Sequence, residues 1–202
     1  MSVRRIADVL GEPPIPQGTW EREATFVSSA AMRRPVDLGQ LRAIPGVTVA
    51  TRTDGMLVVT LKVPGALVED VEPLDFPDPW PDFPRTWDNP GFVVRYAAER
   101  ACNVQRWARE LGVPGEPFVP ELLDHPCDRA VLRALAEVPG RRVSRSPGWD
   151  TYLVRLALAF HDAHEHAPAI PKGDETPERV HTARVRLARA VGDLLQNIRA
   201  EG

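Results

Sequence analysis

The sequence predicts a mainly α protein, with a small α+β unit followed by a C-terminal helical bundle. Three observations carry this. Four stretches after residue 89 place apolar side chains at helical spacing. Before residue 62, two β-branched runs flank an Asp-Gly pair. Between these parts lies a tract rich in proline, aspartate and aromatic residues, which blocks helix and removes backbone donors. The 202 residues, 43% hydrophobic and 26% charged, have the balance of a soluble globular chain with one or two small cores, which excludes a disordered tail or a fibre.

In chain order, the run from Val3 to Leu10 predicts a short helix that Gly11, Pro13 and Pro14 stop. The small-residue segment Phe26 to Met32 is expected to be helical and to break at Pro35. Val47 to Thr53 and Met56 to Leu61 read as a hairpin, because Asp54-Gly55 suits a two-residue type I′ turn. These elements make residues 1–70 the α+β unit. From Pro64 to Pro90 the composition changes, and residues 71–88 are assigned as an extended linker. Its aromatic tract, Phe76, Trp80 and Phe83 among Pro77, Asp78, Pro79, Pro81, Asp82 and Pro84, either packs back on the flanking units or forms a partner-binding motif.

Residues 89–202 read as the bundle. Gly91 to Leu111 sets Val94, Ala97, Ala98, Ala101, Val104, Ala108 and Leu111 on one arc, ended by Gly112 and Pro114. A second helix is expected from Pro126 to Val138, stopped by Pro139-Gly140. A third takes Ser146 as N-cap and Pro147 as first residue and runs to Pro168. The fourth takes Thr176 as cap, then Pro177, with Val180, Ala183, Leu187, Ala190, Val191, Leu194 and Ile198 as its core stripe. Amphipathic helices joined by short breaks pack as a bundle.

Charge and composition restrict the chemistry. The net charge of −3 argues against a purely electrostatic nucleic-acid binder. It is the sum of −4 over residues 1–90 and +1 over 91–202, where arginines cluster as Arg141, Arg142, Arg145 and as Arg179, Arg184, Arg186, Arg189. Any polyanion site is therefore expected in the second part. Only Lys62 and Lys172 are lysines; GC-rich codon usage or a preference for bidentate phosphate recognition would each produce this. No apolar run approaches a membrane span and the N-terminus lacks an apolar signal core, so the expectation is a cytoplasmic protein without membrane contact. Cys102 and Cys127 lack metal spacing and are expected to stay reduced. His161, His164 and Glu165 invite a metal reading by helical spacing, but no second ligand cluster accompanies them, and no metal is expected. Cys102 or Cys127 with His125 makes a poor nucleophile–base pair, and no glycine turn has phosphate-loop spacing. No catalytic residue and no cofactor is assigned.

The stretch Asn89-Pro90-Gly91-Phe92-Val93-Val94-Arg95-Tyr96-Ala97-Ala98-Glu99-Arg100 resembles the opening helix of the DALR-type anticodon-binding domain of arginyl-tRNA synthetases, Asn-Pro-x-x-Tyr-Val-Gln-Tyr-Ala-His-x-Arg. Asn89, Pro90, Val94, Tyr96, Ala97 and Arg100 match in register; Val93, Arg95 and Ala98 depart from it. Leu122-Leu123, Val131 to Leu135, Pro139, Tyr152 to His161 and Ala183 to Ala190 resemble later segments in the family's order, with Ala163-His164 replacing its Phe-Tyr pair. The family's C-terminal Gly-Leu-x-Leu-Leu-Gly and Ala-Pro-x-x-Met segments have no counterpart before Gly202. More faintly, Ala24 to Met32 and the Asp54-Gly55 hairpin resemble the additional N-terminal domain of the same enzymes.

The resemblance implies a DALR-like bundle at 89–202 and contact with a tRNA anticodon stem-loop. The family's synthetic domain, with its His-x-Gly-His and Lys-Met-Ser-Lys signatures, would have to fit between Val71 and Asn89, and neither signature occurs in the chain. The expectation is therefore not an enzyme but a non-catalytic tRNA-binding protein, without DNA as a partner and with a tRNA-using enzyme as a further one. On the first bundle helix, Tyr96, Arg100, Asn103 and Trp107 form one stripe suited to stacking and hydrogen bonding splayed bases, or equally to a helix–helix seam. Arg95, Arg106 and Arg109 are expected on the opposite, solvated side. Asn89, Arg186 and Arg189 complete the expected tRNA-binding set. The alternative is a protein-interaction module, derived from a synthetase, that no longer binds tRNA.

Overall fold

The computed structural model describes residues 2–74, 80–81 and 83–196. Phe76, Pro77, Asp78, Pro79, Asp82 and Ile198, named above, lie outside the described residues. Helix α1 (Ser2–Leu10) buries Val3, Ile6 and Leu10 along one face and ends at Gly11, whose φ of +64° provides the left-handed turn that closes a helix. Strands β1 (Ile15–Gln17) and β2 (Ala24–Ser28), the short helices α2 (Ala30–Arg33) and α3 (Leu38–Arg42), and strands β3 (Val47–Thr53) and β4 (Met56–Leu61) follow. The four strands form one antiparallel sheet in the order β1-β2-β4-β3. The β3–β4 hairpin turns at Asp54 and Gly55, with φ of +48° and +79°, as a type I′ turn requires.

The expected helix across Phe26 to Met32 is a correction. Phe26 to Ser28 belongs to β2, paired on both sides, and only Ala30–Arg33 is helical. Ala24, Phe26 and Ser28 alternate inward, so the two-residue period prevails over the small-residue composition. The Ser28 hydroxyl then accepts from the Ala30 amide at 3.0 Å, which ends the strand and starts the helical turn. The extended stretch expected from Pro64 begins instead as a 3₁₀ helix, Pro64–Asp70, burying Leu67 and Val68. It lies so close to the 3₁₀ turn Pro120–Leu122 that a Cβ at Gly65 would stand 2.1 Å from the Pro120 carbonyl oxygen.

Helices α4 (Pro90–Glu110), α5 (Pro126–Leu135), α6 (Val138–Arg142), α7 (Trp149–His166) and α8 (Arg179–Leu194) make the bundle. Helix α4 presents Val94, Ala97, Ala98, Ala101, Val104 and Ala108 inward, small side chains that let α7 and α8 approach closely. Leu111, expected on this arc, is the exposed C-cap. Three expected helix limits also change. Pro139-Gly140 opens α6 instead of stopping α5, since proline is tolerated in a first turn. Helix α7 starts at Trp149 after Gly148, because Arg141 binds the carbonyl oxygens of Pro147 and Gly148 and holds that segment outside the helix. Helix α8 starts at Arg179, where Glu178 and His181 form a reciprocal capping box.

The N-terminal unit and the bundle meet in one continuous apolar cluster running from Trp20, Phe26, Leu61 and Leu67 to Val94, Leu132, Tyr152 and Leu187. A second cluster, with Ile6, Leu41, Leu57 and Val59, stays within the N-terminal unit. At the seam a cavity of about 340 Å³ is lined by Val3, Ala7, Leu67, Leu135 and Val138 and edged by Arg4, Glu72 and Arg142.

Candidate nucleic-acid interface

The start of α4 is fixed by Asn89. Its side-chain oxygen accepts from the Gly91 amide at 2.9 Å, and its amide nitrogen donates to the carbonyls of Pro84 at 2.8 Å and Pro81 at 3.2 Å. Gly91 leaves room for this approach, since a Cβ there would stand 2.4 Å from the Pro81 oxygen. The preceding segment is thereby held against the helix, with Trp80 packed on the core and Phe83 79% exposed. Arg95, expected to point into solvent, is half-buried and donates to the Trp80 carbonyl at 2.8 Å. Arg106 and Arg109 are exposed.

This docking sets Trp87, 52% exposed, over the first turns of α4. Its ring meets Phe92 edge-on at 5.8 Å and Tyr96 at 5.5 Å, and lies tilted on His161 of α7 at 4.8 Å. The Arg100 guanidinium stands 4.6 Å over the Tyr96 ring and donates to the Tyr96 hydroxyl at 2.5 Å. It also donates to His161 Nδ1 at 2.8 Å and to Glu165 at 3.2 Å. Arginine has only donors, so His161 Nδ1 is the acceptor in this contact. The result is an exposed indole beside a fixed guanidinium and a phenol, a surface for stacking a planar ring and donating to its edge.

Of the expected stripe, Tyr96 and Arg100 meet here. Asn103 and Trp107 continue along α4, half-buried, with Arg106 at 6.0 Å from the Trp107 ring. Arg186 and Arg189 of α8 are elsewhere: Arg186 pairs with Glu116, and Arg189 with Asp193 at 3.7 Å. Arg184 is committed to Asp128, a 3.0 Å pair in the interior. The expected tRNA-binding set does not include Trp87, Phe92, His161 or Glu165, the last two weighed only as metal ligands. Phe92 was legible as the residue one turn before Tyr96; Trp87 and His161 arrive through the docked segment and the α4–α7 packing.

The histidine tract is divided among other partners. His161 and Glu165 face Arg100, and His166 Nδ1 lies 3.0 Å from the Asp162 carbonyl. Burial, and next the Arg100 charge, hold His164 below the usual histidine range. Among the described residues no three His, Cys, Asp or Glu side chains converge on one point. Cys127 is pushed up by burial, then by Asp162 and Asp128, the opposite of a primed nucleophile.

A helical bundle backed by an antiparallel sheet and carrying an aromatic–guanidinium surface is the class of protein defined so far. In sequence part of the chain is similar to an arginine–tRNA ligase. It is 36% identical over 124 residues to the arginine–tRNA ligase of Clavibacter sepedonicus, an alignment covering 56% of this chain and 21% of that enzyme. The chain thus spans about a fifth of the length of the curated relative it matches. No family model matches it. No solved structure matches it. Among the described residues, no helix is long and apolar enough to cross a membrane.

Proposed function

We propose that this chain binds tRNA at the anticodon stem-loop without aminoacylating it. In this reading residues 89–202 are a bundle of the DALR anticodon-binding type, and residues 1–70 correspond to the additional N-terminal domain. The observation that carries the proposal is the Trp87–Tyr96–Arg100–His161 cluster, in which an exposed indole is braced by two rings and flanked by guanidinium donors. Unpaired loop bases are recognised by such stacking and edge hydrogen bonds, and a stacked base is worth about 1–3 kcal/mol. The relation to an arginine–tRNA ligase supports tRNA as the RNA.

The test is equilibrium binding to an arginine tRNA, an anticodon-swapped version and an unrelated tRNA. Anticodon-dependent binding that Trp87→Ala weakens by roughly 5- to 150-fold, with thermal stability retained, is expected from the stacking energy. Equal affinity of that variant would remove the cluster from the site. The second reading, a protein-interaction module, is favoured by the pairing of Arg184, Arg186 and Arg189 with carboxylates, which compete with phosphate for these guanidiniums. Absence of binding to all three tRNAs would select that reading.

A further inference from the structure

The arginines are supplied unevenly relative to carboxylates. On α4 and α8 the pairs are single, Arg106–Glu110, Arg184–Asp128, Arg186–Glu116 and Arg189–Asp193, while Arg109 and Arg179 are exposed without an ion pair among the described residues. Around α6 the carboxylates are shared. The Glu137 carboxylate, 13% exposed, accepts from three guanidiniums, those of Arg133, Arg141 and Arg155. Glu72 likewise takes two, Arg4 and Arg142. Between Val138 and Arg155 the sequence has four arginines and one acid, Asp150.

Several of these guanidiniums have partners besides the carboxylates. Tyr152, fully buried, has Arg141 at 4.7 Å and Arg155 at 5.9 Å from its ring centre. Arg141 also donates to the Pro147 carbonyl. Arg133 and Arg142 reach across the seam, to the Gly18 carbonyl at 2.6 Å and to the carbonyls of Glu72 and Pro73 at 2.9 and 2.8 Å. That leaves Arg155, 46% exposed, and the exposed Arg145, which has no ion pair among the described residues, to face outward, with the charge of Arg141 directly behind them. Arg155 precedes His161 by six residues of α7, about 9 Å of helix rise and about 120° of turn, so an RNA reaching both has to wrap around the helix.

We infer that Arg141, Arg145 and Arg155 form a second RNA contact, binding the phosphodiester backbone of the tRNA held at the Trp87 cluster. The inference rests on the tRNA-binding reading and adds phosphate contacts between the end of α6 and the start of α7. Phosphate neutralisation by guanidiniums gives affinity that falls steeply with salt.

The experiment is tRNA binding across a salt series for the wild-type chain, for the variant Arg145→Gln/Arg155→Gln, and for Arg22→Gln/Arg52→Gln. The last removes the same charge from exposed positions of the N-terminal unit. The patch variant should lower the slope of log affinity against log salt by about two units, and the affinity at 0.1 M salt by roughly 10- to 100-fold. The control should leave the slope unchanged. An unchanged slope in the patch variant, or an equal fall in both, overturns the inference while tRNA binding by the wild type stands. If the wild type binds no tRNA, both readings fall. Arg145→Gln alone, which touches no described ion pair, gives a slope change of about one unit should the double variant unfold.

Discussion

Removal of Arg184 should destabilise the bundle in a way that depends on pH. Asp128, in the first turn of α5, is 1% exposed, and its one ion-pair partner among the described residues is Arg184, at 3.0 Å. In Arg184→Met the carboxylate keeps its burial and loses its counter-charge. Two unit charges about 4 Å apart interact by ~4 kcal/mol at an effective dielectric of ~20, and breaking such buried pairs costs about 3–5 kcal/mol. A chain of this size loses ~2–4 °C of melting temperature per kcal/mol, so the midpoint at pH 7 should fall by roughly 6–20 °C. Burial already raises the Asp128 carboxyl above the usual aspartate range, against the opposing pull of Arg184. The folded state therefore holds this proton more readily than the unfolded chain, and the stability it provides is lost as pH rises through the folded value. Without Arg184 that value rises further, so the deficit of the variant should be small near pH 4 and full at neutrality. Urea unfolding of both chains at pH 4, 5, 6 and 7 measures it. Asp128→Asn in the Arg184→Met background removes the stranded charge and should return at least half of the loss. A deficit of equal size at every pH would refute the argument, because lost packing alone has no titration.

Two further outcomes follow from local geometry. Asn89→Ala removes the α4 cap and two bonds to the docked segment and should cost about 2 kcal/mol in urea unfolding; a loss under ~0.5 kcal/mol would mean that the segment docks by its rings alone. Burial holds the His181 imidazole below its ordinary range, and its neutral Nδ1 accepts from the Glu178 amide at 2.9 Å, so its contribution is present above the usual histidine value and lost as pH falls through the folded value. The melting temperature should drop between pH 7 and pH 5, and His181→Asn should flatten part of that drop; an unchanged profile would assign it to other groups.

Where a few adjacent residues determine the structure, the sequence was legible. Asp54-Gly55 defines its turn by backbone conformation alone, and Asn89-Pro90 marks the first turn of α4 because cap and proline act within three residues. Helical spacing likewise put Tyr96 and Arg100 on one face. Elements decided at a distance were misread: β2 exists because β1 and β4 flank it, and α7 starts late because Arg141, from another helix, binds the two carbonyls before it. The same limit applies to the candidate site. Nothing local to Trp87 or His161 says that the two rings lie 4.8 Å apart; that follows from Asn89 clamping one segment and from α4 packing on α7.

The scarcity of lysine has a structural use that the charge sum conceals. Arg142 donates at once to a carboxylate and to two backbone carbonyls, all at 2.8–2.9 Å, and closes the seam between the two parts. Arg100 reaches a hydroxyl, an imidazole nitrogen and a carboxylate while its face lies on a ring. A lysine ammonium has three donors on one atom and no planar face, so it cannot reproduce either arrangement. Each such arginine is fixed by neutral acceptors as well as by acids, which lets several be packed against a single carboxylate. A bundle with a net charge of only +1 can in this way concentrate three guanidiniums at Glu137.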